Sequence, residues 1–136
     1  VSVVPGAPLG AHGTCGDWVN VPATRVLPAP EGLNDVQTAA LWMSYGTPYG
    51  ALIEVCRLRE GQRVLITAAN STVGLAAIQI ARMAGAIPIC TVLTENLRQP
   101  MLEAGADAVI AMESEDLAQG LAAAAPKFEV LGTLGE

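Results

Sequence analysis

The stretch RVLITAANSTVGLAAIQIARMAGAIPIC, Arg63 to Cys90, decides how this chain is read. It opens on a run of β-branched and aliphatic residues bounded by Gly61, which reads as a buried parallel strand, because a strand covered by helices on both faces has no polar side to show. From Val73 to Ala84 nearly every position is apolar or small, with Gln79 and Arg82 as the wet edge. A helix buried along most of its girth is expected there, ended by Gly85. A second strand, AIPICTV, follows. The turn between the first strand and the helix, AANSTVG, falls where a dinucleotide-binding fold carries three glycines. The first of these permits a tight turn, the second lets a pyrophosphate approach the backbone, and the third lets the helix pack closely. Here those positions are Ala69, Ser71 and Gly74, so only the packing glycine stands in its own form. Ala69 and Ser71 are nevertheless small, and a helix N-terminus presents N–H groups and a positive dipole end to a phosphate. The hydroxyls of Ser71 and Thr72 can cap the helix or donate to phosphate oxygens. On these residues alone, a phosphate-binding turn and an ordinary capped connection both stand.

The pattern then repeats. ENLRQPMLEAG reads as a helix closed by Gly105, DAVIA as a third strand, and SEDLAQGLAAAA as a helix capped by Ser114. Pro100 removes the hydrogen bond that Asn96 would otherwise accept, so the helix containing it should be bent or start late. Alternating strands and helices with short connections specify a doubly wound parallel sheet with right-handed crossovers. Upstream, LNDVQTAALWMSYG places Val36, Ala39, Ala40 and Met43 at helical spacing behind Asn34 or Asp35 as cap. GTPYGALIEVCRLREG reads as a second helix, with Thr47 as N-cap and Pro48 at the first helical position, running to about Leu58. Val1 to Pro30, rich in Gly and Pro with the short runs VSVV, DWVNV and RVL, reads as an irregular antiparallel β segment.

With 136 residues, 51% of them hydrophobic, the chain can bury one real core but not two full ones. A formal charge of −6 argues against the electrostatic footprint that nucleic acid or an anionic membrane needs. Gln79 and Arg82 interrupt the longest apolar run before it reaches the roughly 18 residues of a membrane span. Cys15, Cys56 and Cys90 lie far apart with no C-x-x-C spacing, which fits reduced thiols packed in the core of a cytoplasmic protein better than a disulfide framework or zinc knuckle. His12, in the loop LGAHGTCG, reads as a solvated residue or a substrate contact. The opening VSVVPG starts as though inside a strand, and the closing FEVLGTLGE has strand-and-turn character with nothing after it to pack on. A piece of something longer is expected.

AANSTVGLAAIQIARMAGA, preceded by LREGQRVLIT and followed by LEAGADAVI, resembles the medium-chain dehydrogenase/reductase superfamily, in its zinc-free quinone oxidoreductase and alcohol-dehydrogenase-like branch. That branch commonly writes the fingerprint A-A-x-x-x-V-G, which Ala68, Ala69, Val73 and Gly74 match. GDWVNVPATRVLPAPEGL resembles the exit of the family's GroES-like catalytic domain, and AALWMSYGTPYGALIE the helix joining it to the cofactor domain. The resemblance implies an α/β fold: the end of a GroES-like β domain over 1–33, linking helices over 34–60, and the first half of a Rossmann sheet over 61–136. It implies NADP(H) as cofactor, contacted by Thr47, Ala69, Asn70, Ser71, Thr72, Val73, Gly74, Val92, Thr94 and Arg98. Thr47 would face the nicotinamide carboxamide, with Tyr45 and Tyr49 near the ring or the acceptor, unless Thr47 only caps its helix and the tyrosines only pack. NADPH is expected over NADH, because Val92 stands where NAD-specific members carry an acid and Arg98 follows within reach of a 2′-phosphate; Glu95 counts the other way.

Zinc alcohol dehydrogenases of the superfamily place a metal-binding cysteine shortly before T-x-Y-G, and here that position is Met43, whose thioether is a poor Zn²⁺ ligand. No metal is expected. The chemistry left is hydride transfer to a small-molecule electron acceptor, a quinone or an α,β-unsaturated carbonyl compound, with alcohol oxidation as the alternative within the enzyme class. A nucleotide-binding module without turnover and a structural remnant are the other readings. The full-length protein is expected to be a homodimer or larger oligomer. The 136 residues alone should not be a competent enzyme, because the nicotinamide half of the cofactor needs strands following Glu136.

Overall fold

A computed structural model describes residues 1–6 and 13–124. His12 and the closing FEVLGTLGE lie outside the described residues. The chain divides into two compact units, Val1–Met43 and Ser44–Glu136.

In the first unit, β1 (Ser2–Val3) pairs antiparallel with β2 (Val26–Leu27), Ser2 opposite Leu27 and Val3 opposite Val26. The Val4 N–H extends the pairing to the Arg25 carbonyl at 2.9 Å, and Trp42 Nε1 donates to the buried Ser2 hydroxyl at 3.2 Å. DWVNV, expected as a strand run, forms none: Trp18 is 96% exposed, and no described strand pairs with the segment. β-branched content favours a strand only where a partner takes the backbone hydrogen bonds.

Helix α1 (Asp35–Tyr49) starts at a reciprocal cap. The Gln37 N–H donates to Asn34 Oδ1 at 2.9 Å, and the Asn34 N–H donates back to Gln37 Oε1 at 3.0 Å. This is a capping box, and it selects Asn34 over Asp35. The expected break before Thr47 is absent. Thr47 lies inside α1, exposed, and caps nothing; Pro48 is inside the helix and buried. Proline lacks the N–H for the bond four residues back, and the backbone widens directly after it into a π-helical turn over Gly50–Val55, where the Cys56 N–H reaches the Ala51 carbonyl at 2.9 Å. The helical run ends at Val55, short of Leu58. Arg57, at φ +51°, takes the left-handed position that glycine usually fills, and the Leu58 N–H closes on the Leu52 carbonyl at 2.8 Å.

The second unit carries three parallel strands, β3 (Arg63–Ile66), β4 (Ile87–Val92) and β5 (Ala108–Ala111), in the order β3-β4-β5. Ile66 stands opposite Cys90 and Val92 opposite Ala111. Helix α2 (Thr72–Met83) joins β3 to β4, and α3 (Arg98–Glu103) joins β4 to β5. The second connection begins with a 3₁₀ turn over Glu95–Leu97, which puts Pro100 in the first turn of α3 and gives the late start its ring demands. Helix α4 (Leu117–Ala124) follows β5. Its cap is Asp116, whose Oδ1 accepts the Gln119 N–H at 2.9 Å, and not Ser114. Ser114 and Glu115 instead turn back on the Ala111 carbonyl, so the helix starts only after that turn closes.

The alternation of strand side chains divides the core. Val64, Ile66, Cys90, Val92, Val109 and Ala111 point to one face and pack with Ile78, Ile80 and Met101 of α2 and α3. Leu65, Ile89 and Ile110 point to the other, against Leu117 and Leu121 of α4. Helices on both faces of a parallel sheet make this the first half of a doubly wound fold. Of the three cysteines only Cys90 is core; Cys15 and Cys56 are exposed, which corrects the expectation that all three pack. Among the described residues no helix is long and apolar enough to cross a membrane.

Candidate cofactor site

The site expected from the sequence is the connection from β3 to α2, at the carboxyl end of the sheet. Its backbone is fixed by three bonds. The Ala69 N–H donates to the Thr91 carbonyl of β4 at 3.1 Å, the Ser71 N–H to the Ala68 carbonyl at 2.9 Å, and the Leu75 N–H to the Ser71 carbonyl at 2.9 Å. Ala68 adopts φ +47°. The residue that makes the tight turn is therefore Ala68, and not Ala69, where counting along the fingerprint places it; Ala69 is completely buried. A chain leaving β3 has to reverse before it can bond back to β4 through Ala69, so the left-handed residue falls one position earlier.

Gly74 fills the packing role in a specific way. A Cβ built on it would lie 2.6 Å from the Ala69 carbonyl oxygen and 2.7 Å from the Ala69 Cα. The helix thus presses its first turn onto the backbone of the turn before it. Ser71 is the N-cap, its Oγ accepting the Gly74 N–H at 3.0 Å. Of the donors a helix leaves without partners in its first turn, those of Ser71 and Gly74 are taken by Ala68 and by the cap. Those of Thr72 and Val73 have no acceptor within the helix. Two open N–H groups beside the dipole end of a twelve-residue helix, next to exposed Asn70 and Thr72, fit one phosphate of a dinucleotide.

Val92 ends β4 and is buried, its carbonyl accepting the Met112 N–H at 2.9 Å. It offers no polar group to a ribose. Thr94 is half-buried and donates its hydroxyl to Asn96 Oδ1 at 2.5 Å. Arg98 does not present an open guanidinium. Nε donates to Glu95 Oε1 at 2.5 Å, and Nη2 donates to Glu95 Oε2 at 3.0 Å. Nη2 also donates to Glu115, and Nη1 to the Val109 carbonyl. The bond from Arg98 holds the Glu95 carboxyl below its ordinary range, and the Glu95 carboxylate in turn holds the Arg98 guanidinium above its own. The two residues are engaged with each other at the place where the sequence suggests contact with a ribose.

The tyrosines separate. Tyr45 packs on the core and donates its hydroxyl to Gln79 Oε1 of α2 at 2.6 Å, while Tyr49 is 44% exposed. Gln79 itself carried only a wet-edge reading; a polar residue on an otherwise apolar helix is the signal that it has a partner. Met43 is 67% exposed. Among the described residues, no group of three or more His, Cys, Asp or Glu is placed to hold a metal ion. A cavity of about 580 Å³ in the first unit, lined by Val3, Arg25, Thr38 and Trp42 among others, includes none of the expected cofactor residues.

Solved proteins share this fold over much of the chain. Escherichia coli quinone oxidoreductase, solved in complex with NADPH, is 34% identical with a TM-score of 0.69, over 74% of this chain and 31% of that one. The CurK enoyl reductase is 27% identical with a TM-score of 0.70, over 79% of this chain and 32% of that one. The chain belongs to the medium-chain dehydrogenase/reductase superfamily. Among curated proteins, a mycocerosic acid synthase-like polyketide synthase of Mycolicibacterium smegmatis is 35% identical over 101 residues, 74% of this chain. This superfamily member spans only 5% of that synthase and about a third of the solved enzymes. No protein-family model matches it.

Proposed function

We propose that this chain is the dinucleotide-binding part of a longer NADPH-dependent oxidoreductase that reduces an α,β-unsaturated carbonyl compound. The observation that carries the reading is the β3–α2 turn, where Gly74 lies against the Ala69 backbone, Ser71 caps, and two N–H groups stay open. When bound, the reduced nicotinamide supplies a hydride to the electron-poor carbon of the acceptor, and a proton completes the reduction. The residues assigned to the cofactor are Asn70, Ser71, Thr72 and Val73 around a phosphate, Ala69 and Gly74 as the turn that admits it, and Val92 and Thr94 beside the ribose. Thr47, exposed on α1, is assigned to the nicotinamide side, with exposed Tyr49 near the acceptor.

NADPH is favoured over NADH because Val92 offers no carboxylate to a ribose hydroxyl pair and Glu95 is occupied by Arg98. The NADPH-complexed relative supports the same choice. An unsaturated acceptor is favoured by similarity to an enoyl reductase and to polyketide synthases; quinone reduction is the second reading, favoured by the E. coli relative.

The test is NADPH oxidation by the intact protein with an α,β-unsaturated thioester, with a quinone, and without acceptor, beside the same assay on the 136-residue chain. Turnover of the thioester above the quinone, and little or none by the chain alone, is expected. Binding of NADPH without turnover of either acceptor would leave a nucleotide-binding module and defeat the enzymatic reading.

A further inference from the structure

Resting on the dinucleotide reading above, we propose that Arg98 is a positioning residue that orders the loop after β4 for either dinucleotide, and is not a ligand of a 2′-phosphate. Guanidinium offers five N–H donors, and here four are spent inside the protein: two on Glu95, one on Glu115 and one on the Val109 carbonyl of β5. One donor is left, so a phosphate could form a two-point fork with Arg98 only by displacing one of these acceptors. The Arg98 side chain is only 28% exposed, against 55% for Glu95.

Independent bonds stitch the same loop to the same neighbour. The Glu95 N–H donates to Glu113 Oε1 at 2.8 Å, and the Glu113 N–H donates to the Leu93 carbonyl at 3.0 Å. Residues 93–98, which carry Thr94, are thus laced to residues 109–115 by backbone and side chain together. Arg98 is the member that reaches β5, the turn after it and its own 3₁₀ turn at once. The two carboxylates paired with it, Glu95 and Glu115, outweigh the single charge of the guanidinium, which opposes recruitment of a phosphate to this point.

The experiment titrates NADPH and NADH against the intact wild-type protein and its R98A, R98K and E115Q variants, following amide exchange at Glu95 and thermal melting in parallel. R98A is expected to raise both dissociation constants by about five- to ten-fold in equal proportion, with R98K intermediate and E115Q smaller. Exchange at the Glu95 amide should quicken in the same order. Loss confined to NADPH would make Arg98 a direct phosphate ligand, and unchanged dissociation constants beside a lowered melting point would make it merely structural; either overturns the proposal. Should R98A fail to fold, R98K and E115Q carry the same comparison. If the wild type binds neither dinucleotide, the functional reading falls, and Glu95 exchange that stays slow in R98K and E115Q overturns the ordering role as well.

Discussion

Gly74 and Ala68 are adjacent in function because one turn of backbone has to serve both. A Cβ at position 74 meets backbone atoms of Ala69 at 2.6 and 2.7 Å, and backbone cannot step aside as a flexible side chain would. Gly74→Ala gains up to about 1 kcal/mol of helix propensity and loses about 1–3 kcal/mol to overpacking, so the variant should be less stable and bind dinucleotide more weakly. Ala68, at φ +47°, bears a left-handed cost of about 1–2 kcal/mol. Ala68→Gly relieves it and frees the unfolded chain by a comparable amount, so stability should be unchanged or slightly higher. Ala69→Gly, at a completely buried methyl with no positive φ, should destabilise by about 1 kcal/mol. Urea melts of the three variants check the signs, and a larger loss for Ala68→Gly than for Ala69→Gly would reverse the assignment of the tight turn. In the sequence both residues are simply alanine; spacing points to one, and only the hydrogen bond from Ala69 to Thr91 shows that the turn closes at the other.

At the scale of elements, the loop after β4 and the turn after β5 are tied by charge as well as by backbone. The Glu95 carboxyl lies below its ordinary value of 4.5, first because Arg98 donates a hydrogen bond to it; desolvation opposes this, and the Arg98 charge adds a smaller lowering. A carboxyl whose folded pKa lies below the unfolded one adds stability above the unfolded value and loses it as pH falls through the folded value. The wild type should therefore exceed E95Q in urea midpoint at neutral pH, and the gap should narrow as the pH falls below 4.5. Because Glu95 is open to solvent, the gap should also shrink in salt. A gap that persists undiminished in acid would mean that Glu95 acts through contacts other than its charge. Helix boundaries show the same division between local and non-local causes. The Asn34 and Gln37 cap is legible three residues apart in the sequence. The continuity of α1 past Thr47 is not, because Pro48 suits a first helical turn just as well and only its burial holds it inside a longer helix.

At the scale of the whole molecule, the sheet decides which thiols react. Cys90 lies in the central strand β4, completely buried, and burial pushes its pKa up to about 12; Cys15 and Cys56 are exposed. A maleimide should label those two in the native state and Cys90 only on unfolding. Native labelling of Cys90 on the timescale of the others would show that β4 opens far below global unfolding. The sequence by itself determined the α/β class, the three strands, α2 and its closing glycine, and the need for glycine at position 74, because each follows from the spacing of apolar residues along one local segment and from the steric demands of one turn. The tertiary structure decided what depends on residues distant in sequence. It buried Cys90 and left Cys15 and Cys56 bare, gave DWVNV no partner among the described strands, and joined Tyr45 to Gln79. It also paired Arg98 with Glu95 and Glu115. A single sequence states which groups carry charge or hydrogen-bonding capacity; which of them are already satisfied is set by where the folded chain brings their partners.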